Sequence, residues 1–423
     1  MKLSLYNFLL LLMVPFMVSR LLIKSLRDRD YRLNFSNRLG IYKKSKSSNI
    51  VWFHAVSLGE VISSQQIVVE ILKEYDVVLS VSTPTGLREA KKIFGNSLEV
   101  VYAPWDFILF VNGFFKSFNP VALILFETEI WPSMISKAHQ SNIPVIISNA
   151  RMSEISYKKY IKFGFFFADT MKKISLVFAQ SDDHKTRFNK LGVSLDKIEK
   201  VGSVKFDINA ILDNSIKIES DEKFILAAST HKGEDELIIN AFIKLRIEFK
   251  DLRLIIAPRH PERAQSIQSL VSGNNLISAI SSIVPQKFDK NDVIIIKATG
   301  IMRELYAKAS IAFIGGSLFK EYGGHNIIEA ATEKCPFIVG PHMHNFEDIV
   351  NLFTEKNSCI KLGHKKDIFN AFQTLLNDTK LSDDMISRAL NICTDNKGST
   401  RKQYTKILNT IRGEDGEASN SNN

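Results

Sequence analysis

Short apolar runs alternate with amphipathic stretches along nearly the whole chain. Candidate strands in the first half are Ile50–His54, Val77–Val81, Val100–Tyr102, Val121–Phe126, Val145–Ser148 and Leu176–Ala179. In the second half they are Phe224–Ala228, Leu252–Ala257, Val293–Ile296, Ile311–Ile314 and Phe337–Val339. Between them lie segments with helical spacing, such as Ile62 to Leu72 and Glu236 to Phe249. This alternation predicts parallel sheets with helices on both faces. The pattern breaks once, at "DINAILDNSIKIESDEK", which lacks a long apolar run. The expectation is therefore two α/β domains, 35–206 and 222–400, joined by a linker over 207–221. Two such domains make a cleft, and ligands of these sheets bind beyond the C-terminal strand ends.

The two ends of the chain differ from the rest. The N-terminus has an apolar stretch from Leu3 to Val18, slightly short for a membrane span. No small-residue cleavage site follows, which argues against a removed signal peptide. Arg20, Lys24, Arg27, Arg29 and Arg32 crowd after it, whereas Lys2 stands alone before it. That bias keeps the bulk of the chain cytoplasmic. Residues 1–26 thus read as a membrane-anchor helix, either spanning or interfacial. The tail 413–423, "GEDGEASNSNN", reads as disordered.

Composition alters this picture mainly through charge. With 423 residues, 45% hydrophobic and 24% charged, the chain is globular and too long for one ordinary core. The net charge of +10 suits an anionic partner: nucleic acid, an anionic membrane surface or a phosphorylated substrate. Solubility alone is the bland alternative. The three cysteines, Cys335, Cys359 and Cys393, show no CxxC spacing, so no disulfide framework or zinc site is indicated.

The strand ends carry the candidate chemistry. "VWFHAVSLGE" is laid out as strand, turn and helix start, as in a phosphate site, yet it puts Glu60 where a phosphate would sit. "ETEIWPS" adds Glu127 and Glu129, "NARMS" adds Asn149 and Arg151, and "GSVKFD" brings Lys205 to the domain junction. Ser82 or Thr83 reads as a helix cap. In the second half, "IAPRHPER" supplies Arg259, His260 and Arg263. "ATGIMRELY" supplies Gly300 to Met302. "IGGSLFKEYGGHNIIEAA" brackets a loop with glycine pairs. Its glycines should let backbone N–H groups approach a ligand, with a helix starting near Asn326 to favour an anion. Glu329, one turn inside, would grip a ribose or base. No HExxH, Walker or GxSxG motif occurs. No DxD pair placed to hold a metal–diphosphate is evident either. Asp182-Asp183 and Asp383-Asp384 read as surface pairs. His342 and His344 read as loop contacts or packing.

In this order, "WFHAVSLGE", "ETEIWPS", "NARMS", "GSVKFD", "APRHPER", "GGSL…GGHNIIEAA" and "GPHMHNFEDI" resemble the 3-deoxy-D-manno-oct-2-ulosonic acid (Kdo) transferases of Gram-negative bacteria. The resemblance implies a GT-B glycosyltransferase fold: two Rossmann-like domains facing across a cleft, with an N-terminal membrane-anchor helix. It implies inverting transfer of Kdo from CMP-Kdo to a tetraacylated lipid A precursor at the cytoplasmic face of the inner membrane. It implies no metal or other cofactor, anionic inner-membrane lipids as partners, and no nucleic acid. Carried over by motif, Glu60 matches the general base, and Glu127 and Lys205 match groups supporting the transition state. Pro258, Arg259, Gly300, Ile301, Met302, Asn326, Ile327, Ile328 and Glu329 match the segments that bind CMP. Two departures stand out: Ile301 replaces the usual Glu, and Lys320-Glu321-Tyr322 replaces an Arg-bearing loop. The chemistry fits beside the resemblance, since Glu60 can take the acceptor's proton and Arg259 with the helix start at Asn326 can meet the leaving phosphate. The alternatives are another GT-B nucleotide-sugar transferase or UDP-sugar epimerase, or a non-catalytic membrane-tethered binding protein. Donor preference for CMP over UDP separates the first pair. Retention of Glu60, Glu127, Lys205 and Arg259 together argues against the last.

Overall fold

The structure is a computed structural model that describes residues 2–26, 28–207 and 222–414. The chain forms two compact units, one comprising residues 1–208 and 396–423 and the other 209–395. Residues 396–400, grouped with the second domain in the sequence expectation, thus fall in the first unit. The proposed linker, apart from Asp207, and the tail beyond Glu414 lie outside the described residues.

The first unit holds strands β1 (Ile50–His54), β2 (Asp76–Val81), β3 (Glu99–Tyr102), β4 (Ala122–Phe126), β5 (Val145–Ala150), β6 (Leu176–Ala179) and β7 (Ile198–Lys200). They form one sheet in the order β3-β2-β1-β4-β5-β6-β7, every pair parallel. The second unit holds β8 (Phe224–Thr230), β9 (Arg253–Pro258), β10 (Ser278–Ser281), β11 (Val293–Ile296), β12 (Ile311–Ile314), β13 (Phe337–Val339) and β14 (Ile360–Lys361). Their order is β10-β11-β9-β8-β12-β13-β14, again parallel. In both sheets the order reverses beside the first strand, the position where open α/β sheets take ligands. The central strands are buried on both faces, which is why they show as unbroken apolar runs. The strands missed by the pattern, β7, β10 and β14, all sit at or near sheet edges and are short or polar.

The C-terminal helix Ser399–Arg412 returns to the first unit for identifiable reasons. Asp207 accepts the N–H groups of Gly398 and Thr400 at 2.7 Å each. Buried Gln403 accepts from the Ser148 hydroxyl at 2.8 Å and the Asn149 N–H at 3.0 Å, at the end of β5. Ile407 completes the core beneath β1 and β2.

The N-terminal helix runs from Lys2 to Ser25, with Pro15 inside it. At 24 residues it spans about 36 Å, so the apolar segment is longer than Leu3–Val18 alone. It does not stand clear of the protein. Tyr6 donates to Asp106 at 2.9 Å, and Asn7 takes the Ile108 N–H at 2.7 Å and donates to Ser133 at 3.2 Å. At the other end Arg32 donates to Ser25 at 2.8 Å. Leu9, Leu12, Phe16 and Ile23 project outward.

Replacing Gln403 by Ala strands the Ser148 hydroxyl and the Asn149 N–H in a dry interior. The expected cost is about 1–3 kcal/mol, read from the urea midpoint of unfolding.

Candidate functional site

Four sequence-predicted or neighbouring groups meet at the C-terminal strand ends of the first unit. Ser57 caps the helix Leu58–Ile71, and Glu60 lies at its third position. The Glu60 carboxylate turns back to accept the Val56 N–H and the Ser57 hydroxyl, both at 2.8 Å. This is close to a capping box, a spacing present in "SLGE". A helix start alone would lower the pKa of Glu60. The structure shows the opposite balance. Burial, then the charges of Glu129 and Glu127, push Glu60 up to about 8, against the pull of its two hydrogen bonds.

Glu127 follows β4 in the left-handed region, at φ 62°. Its N–H is fixed to the Ser148 carbonyl at 2.9 Å, and its carboxylate pairs with Lys205 at 3.3 Å. Lys205 stands in a short turn, Val204–Phe206, capped by Ser203 and held by the Asn149 side chain through the Val204 N–H at 3.2 Å. Glu129 accepts from the Trp131 indole at 2.8 Å, and burial with the Glu127 charge pushes it up to about 7. The sequence reading named Glu129 beside Glu127 but left it out of the site. The Trp131 ring stands edge-on to His54, which burial pushes down to about 4. Thr83 caps the next helix through the Gly86 N–H, so its role is structural.

Between this corner and the N-terminal helix is a cavity of about 190 Å³. Leu10, Val14 and Met17 line it from the helix, and Arg38, His54 and Trp131 from the domain. It is mostly apolar. The Arg38 guanidinium stacks over Tyr102 at 4.0 Å and donates to the Ser82 carbonyl at 3.1 Å.

In the second unit the glycine-rich loop follows β12, but its first amides are not free. The N–H groups of Gly316, Ser317 and Leu318 all donate to the buried Glu234, at 2.7 to 2.9 Å, and the His231 N–H adds a fourth bond at 2.8 Å. The expectation that these amides would meet a ligand is therefore corrected: a carboxylate of the protein occupies the nest. The helix expected near Asn326 is also shorter than anticipated. It runs only from Ile328 to Thr332, with Asn326 accepting the Ile328 N–H at 3.0 Å, so one turn offers little dipole to an anion.

Arg259 follows Pro258 at the end of β9, and its N–H is tied to the Thr230 carbonyl at 3.0 Å. Its charge helps hold down the pKa values of His231 and His325, so the three are neighbours. Asn326 also donates to Glu329 at 3.4 Å, and burial raises the Glu329 carboxyl. Gly300, at φ 86°, leads into the helix Met302–Lys308, where Arg303 pairs with Glu333 and its charge reaches Glu329. Ile301 is the residue before that helix and its carbonyl takes the Leu305 N–H. The structure thus joins 300–302 to 326–329, and Pro258-Arg259 to the histidines. The histidines themselves carried no distinguishing sequence signal beyond their place at strand ends.

A family profile described as 3-deoxy-D-manno-octulosonic-acid transferase (kdotransferase) matches residues 33–208. A 3-deoxy-D-manno-octulosonic acid transferase of Haemophilus influenzae is 30% identical over 94% of this chain and 96% of its own length. The chain belongs to the Kdo transferase family. A Rickettsia bellii transferase of the same description is 31% identical over 88% of this chain and 90% of its own. Among solved structures, a putative UDP-N-acetylglucosamine 2-epimerase from Listeria monocytogenes covers 87% of this chain at a TM-score of 0.57. That structure is 12% identical and speaks to the fold alone, which is GT-B with two parallel-sheet α/β domains. The enzyme is a glycosyltransferase that moves Kdo in lipopolysaccharide synthesis, and the epimerase and non-catalytic alternatives are set aside.

Replacing Glu129 by Gln removes a neighbouring negative charge from Glu60. Where Glu60 is the titrating group, the acid limb of the pH–rate profile of Kdo transfer should move to lower pH, and an unmoved limb would separate Glu129 from Glu60.

Proposed function

We propose that the enzyme transfers Kdo from CMP-Kdo to the tetraacylated lipid A precursor in one inverting displacement, with Glu60 as general base. One observation carries this reading: Glu60 lies among Glu129 and Glu127 with its pKa pushed up to about 8. A carboxylate near its ordinary value is a poor base for a sugar hydroxyl. One near 8 is a stronger base and still ionises close to neutral pH. The acceptor oxygen attacks the anomeric carbon as its proton passes to Glu60. The carbon–oxygen bond to phosphate breaks, and the electron pair leaves with CMP. A single displacement inverts the carbon. Lys205, paired with Glu127, supplies positive charge beside this corner and supports the transition state.

The second unit is assigned the donor. Arg259 meets the phosphate, and Asn326 to Glu329 with Gly300 to Met302 hold the nucleoside. Pro258 fixes the entry to Arg259. The contribution of the Ile301 segment is through backbone, since its side chain brings no polar group. Charge on a leaving monophosphate falls to Arg259 and the nearby imidazoles, so the reading assigns no step to a metal.

The N-terminal helix is assigned to the cytoplasmic face of the inner membrane, lying in the interface. Its polar contacts to the domain at both Asn7 and Ser25 support this orientation over a crossing one. Phe163, at the junction of the helices Glu154–Lys162 and Gly164–Lys172, and Phe165, on the second, are exposed near Lys158, Lys159 and Lys172 of the same helices, so this segment offers both apolar and basic groups. Each basic residue near anionic lipid contributes about 1 kcal/mol. The apolar cavity behind the helix, reaching His54, suits part of an acylated acceptor.

Glu60→Gln is the sharper test, because Gln can keep the helix cap while losing the base. Kdo transfer, followed by mass spectrometry of the lipid product, should fall at least a hundredfold with the melting temperature retained. Near-normal turnover in this variant would rule out Glu60 as the base. In the wild-type enzyme, kcat/KM should rise about tenfold per pH unit below the Glu60 value and level off above it, because the base acts only when ionised. For the donor, CMP should raise the melting temperature and UDP should not.

A further inference from the structure

In the loops that follow β8 and β12, two imidazoles face each other with no carboxylate between them. The Nε2 atoms of His231 and His325 lie 2.9 Å apart. At that distance one nitrogen must donate a proton and the other accept it, so a single proton lies between them. The rings are nearly coplanar, 11° apart, and His231 also stacks on Tyr322 with centroids 4.0 Å apart at 21°. The glycine-rich loop is shaped for this pair. Gly316 stands at φ 67°, and a Cβ there would come within 3.0 Å of the His325 ring.

The surroundings are cationic. His260 stands edge-on to His231 with ring centroids 5.7 Å apart. Arg259 follows the end of β9, and Arg263, in the turn Pro261–Arg263 beyond it, is paired with Asp235. Glu234 faces the His231 backbone, but its carboxylate is taken up by four N–H groups. Burial and these positive neighbours push both imidazoles down to about 4, so the pair is neutral at pH 7 when the site holds no anion. An anion entering beside Arg259 reverses the balance. It favours the charged form, and a further proton can be held at an Nδ1 while the Nε2 bridge stays intact.

We propose that the His231–His325 pair takes up one proton together with the anionic group of the sugar-nucleotide donor, becoming a monocation only in the ligand complex. This rests on the reading that the second unit holds CMP-Kdo. The anion is either the phosphate of CMP or the carboxylate of Kdo, which share this chemistry. The pair would then carry positive charge where negative charge collects as the sugar–phosphate bond breaks. In the empty enzyme it remains neutral beside two arginines.

The test is titration calorimetry of the full-length enzyme in buffers of differing ionisation enthalpy, with CMP and with free Kdo as separate ligands. The wild type should take up protons on binding, increasingly so from about pH 8 down to about pH 6, because the bound pair has the higher pKa. The phosphate of CMP itself titrates near pH 6 and would release protons on entering a cationic site, which is the opposite sign. The difference between wild type and His325→Gln, and between wild type and His231→Gln, should approach about one proton per site. Both variants are checked for an unchanged melting temperature. Uptake with CMP assigns the phosphate, and uptake with Kdo alone assigns the carboxylate. The same proton balance on binding in the wild type and in both variants, for CMP and for Kdo alike, overturns the proposal. If CMP gives neither heat nor thermal protection, the donor reading fails and the proposal falls with it.

Discussion

A buried carboxylate needs donors around it, and each unit of this enzyme is organised about one such carboxylate at a strand end. In the second unit, Glu234 is fully buried and accepts four backbone N–H groups from two different loops. It ties the turn after β8 to the glycine-rich loop after β12. His231 lies in the first of those segments, and the second leads on to Tyr322 and His325. The hydrogen-bonded imidazoles therefore depend on a carboxylate held by backbone N–H groups. In the first unit, Glu60 has two donors instead of four, and two other carboxylates for neighbours. The same kind of residue, less completely satisfied, becomes a titrating group instead of a fastener.

Burial is thus put to two uses. Around Glu234 four backbone N–H groups pull against it, although burial still raises the carboxyl, and the shared bonds contribute rigidity. Around Glu60 and Glu129 it is only partly offset, and the residue of the imbalance appears as pKa values near those of the reaction medium. Lys205 balances Glu127, and the turn that carries it is held by Asn149, which is itself held by Gln403 of the C-terminal helix. A helix remote in sequence thereby positions a charge in the site. The N-terminal helix acts on the opposite side, closing the apolar cavity over His54 and Trp131.

Much of this was legible in the chain. The central strands are runs such as "IVWFH", "ALILF" and "IAFI", and burial on both faces leaves no other pattern for them. Parallel pairing followed from the helices between them. Glu60, Glu127 and Lys205 stood out because polar groups at strand ends have no core to join. The "SLGE" spacing also contained the cap that turns Glu60 back on its own helix, a signal readable in the sequence and passed over there.

What the chain could not show were balances between opposing effects. Whether the helix start or burial sets the pKa of Glu60 depends on how many charges and how little water surround it, and Glu129 enters that sum only through folding. Whether the amides of "IGGS" meet a ligand or a side chain depends on Glu234, which lies some eighty residues earlier, at the start of the helix after β8. The pairing of His231 with His325 joins two loops that no local period connects. The sequence by itself determined the central strands, their direction and the polar groups at their ends, because these follow from local patterns of burial. Only the tertiary structure decided which of those groups are satisfied, since hydrogen bonds and desolvation are settled by neighbours that are distant in the chain.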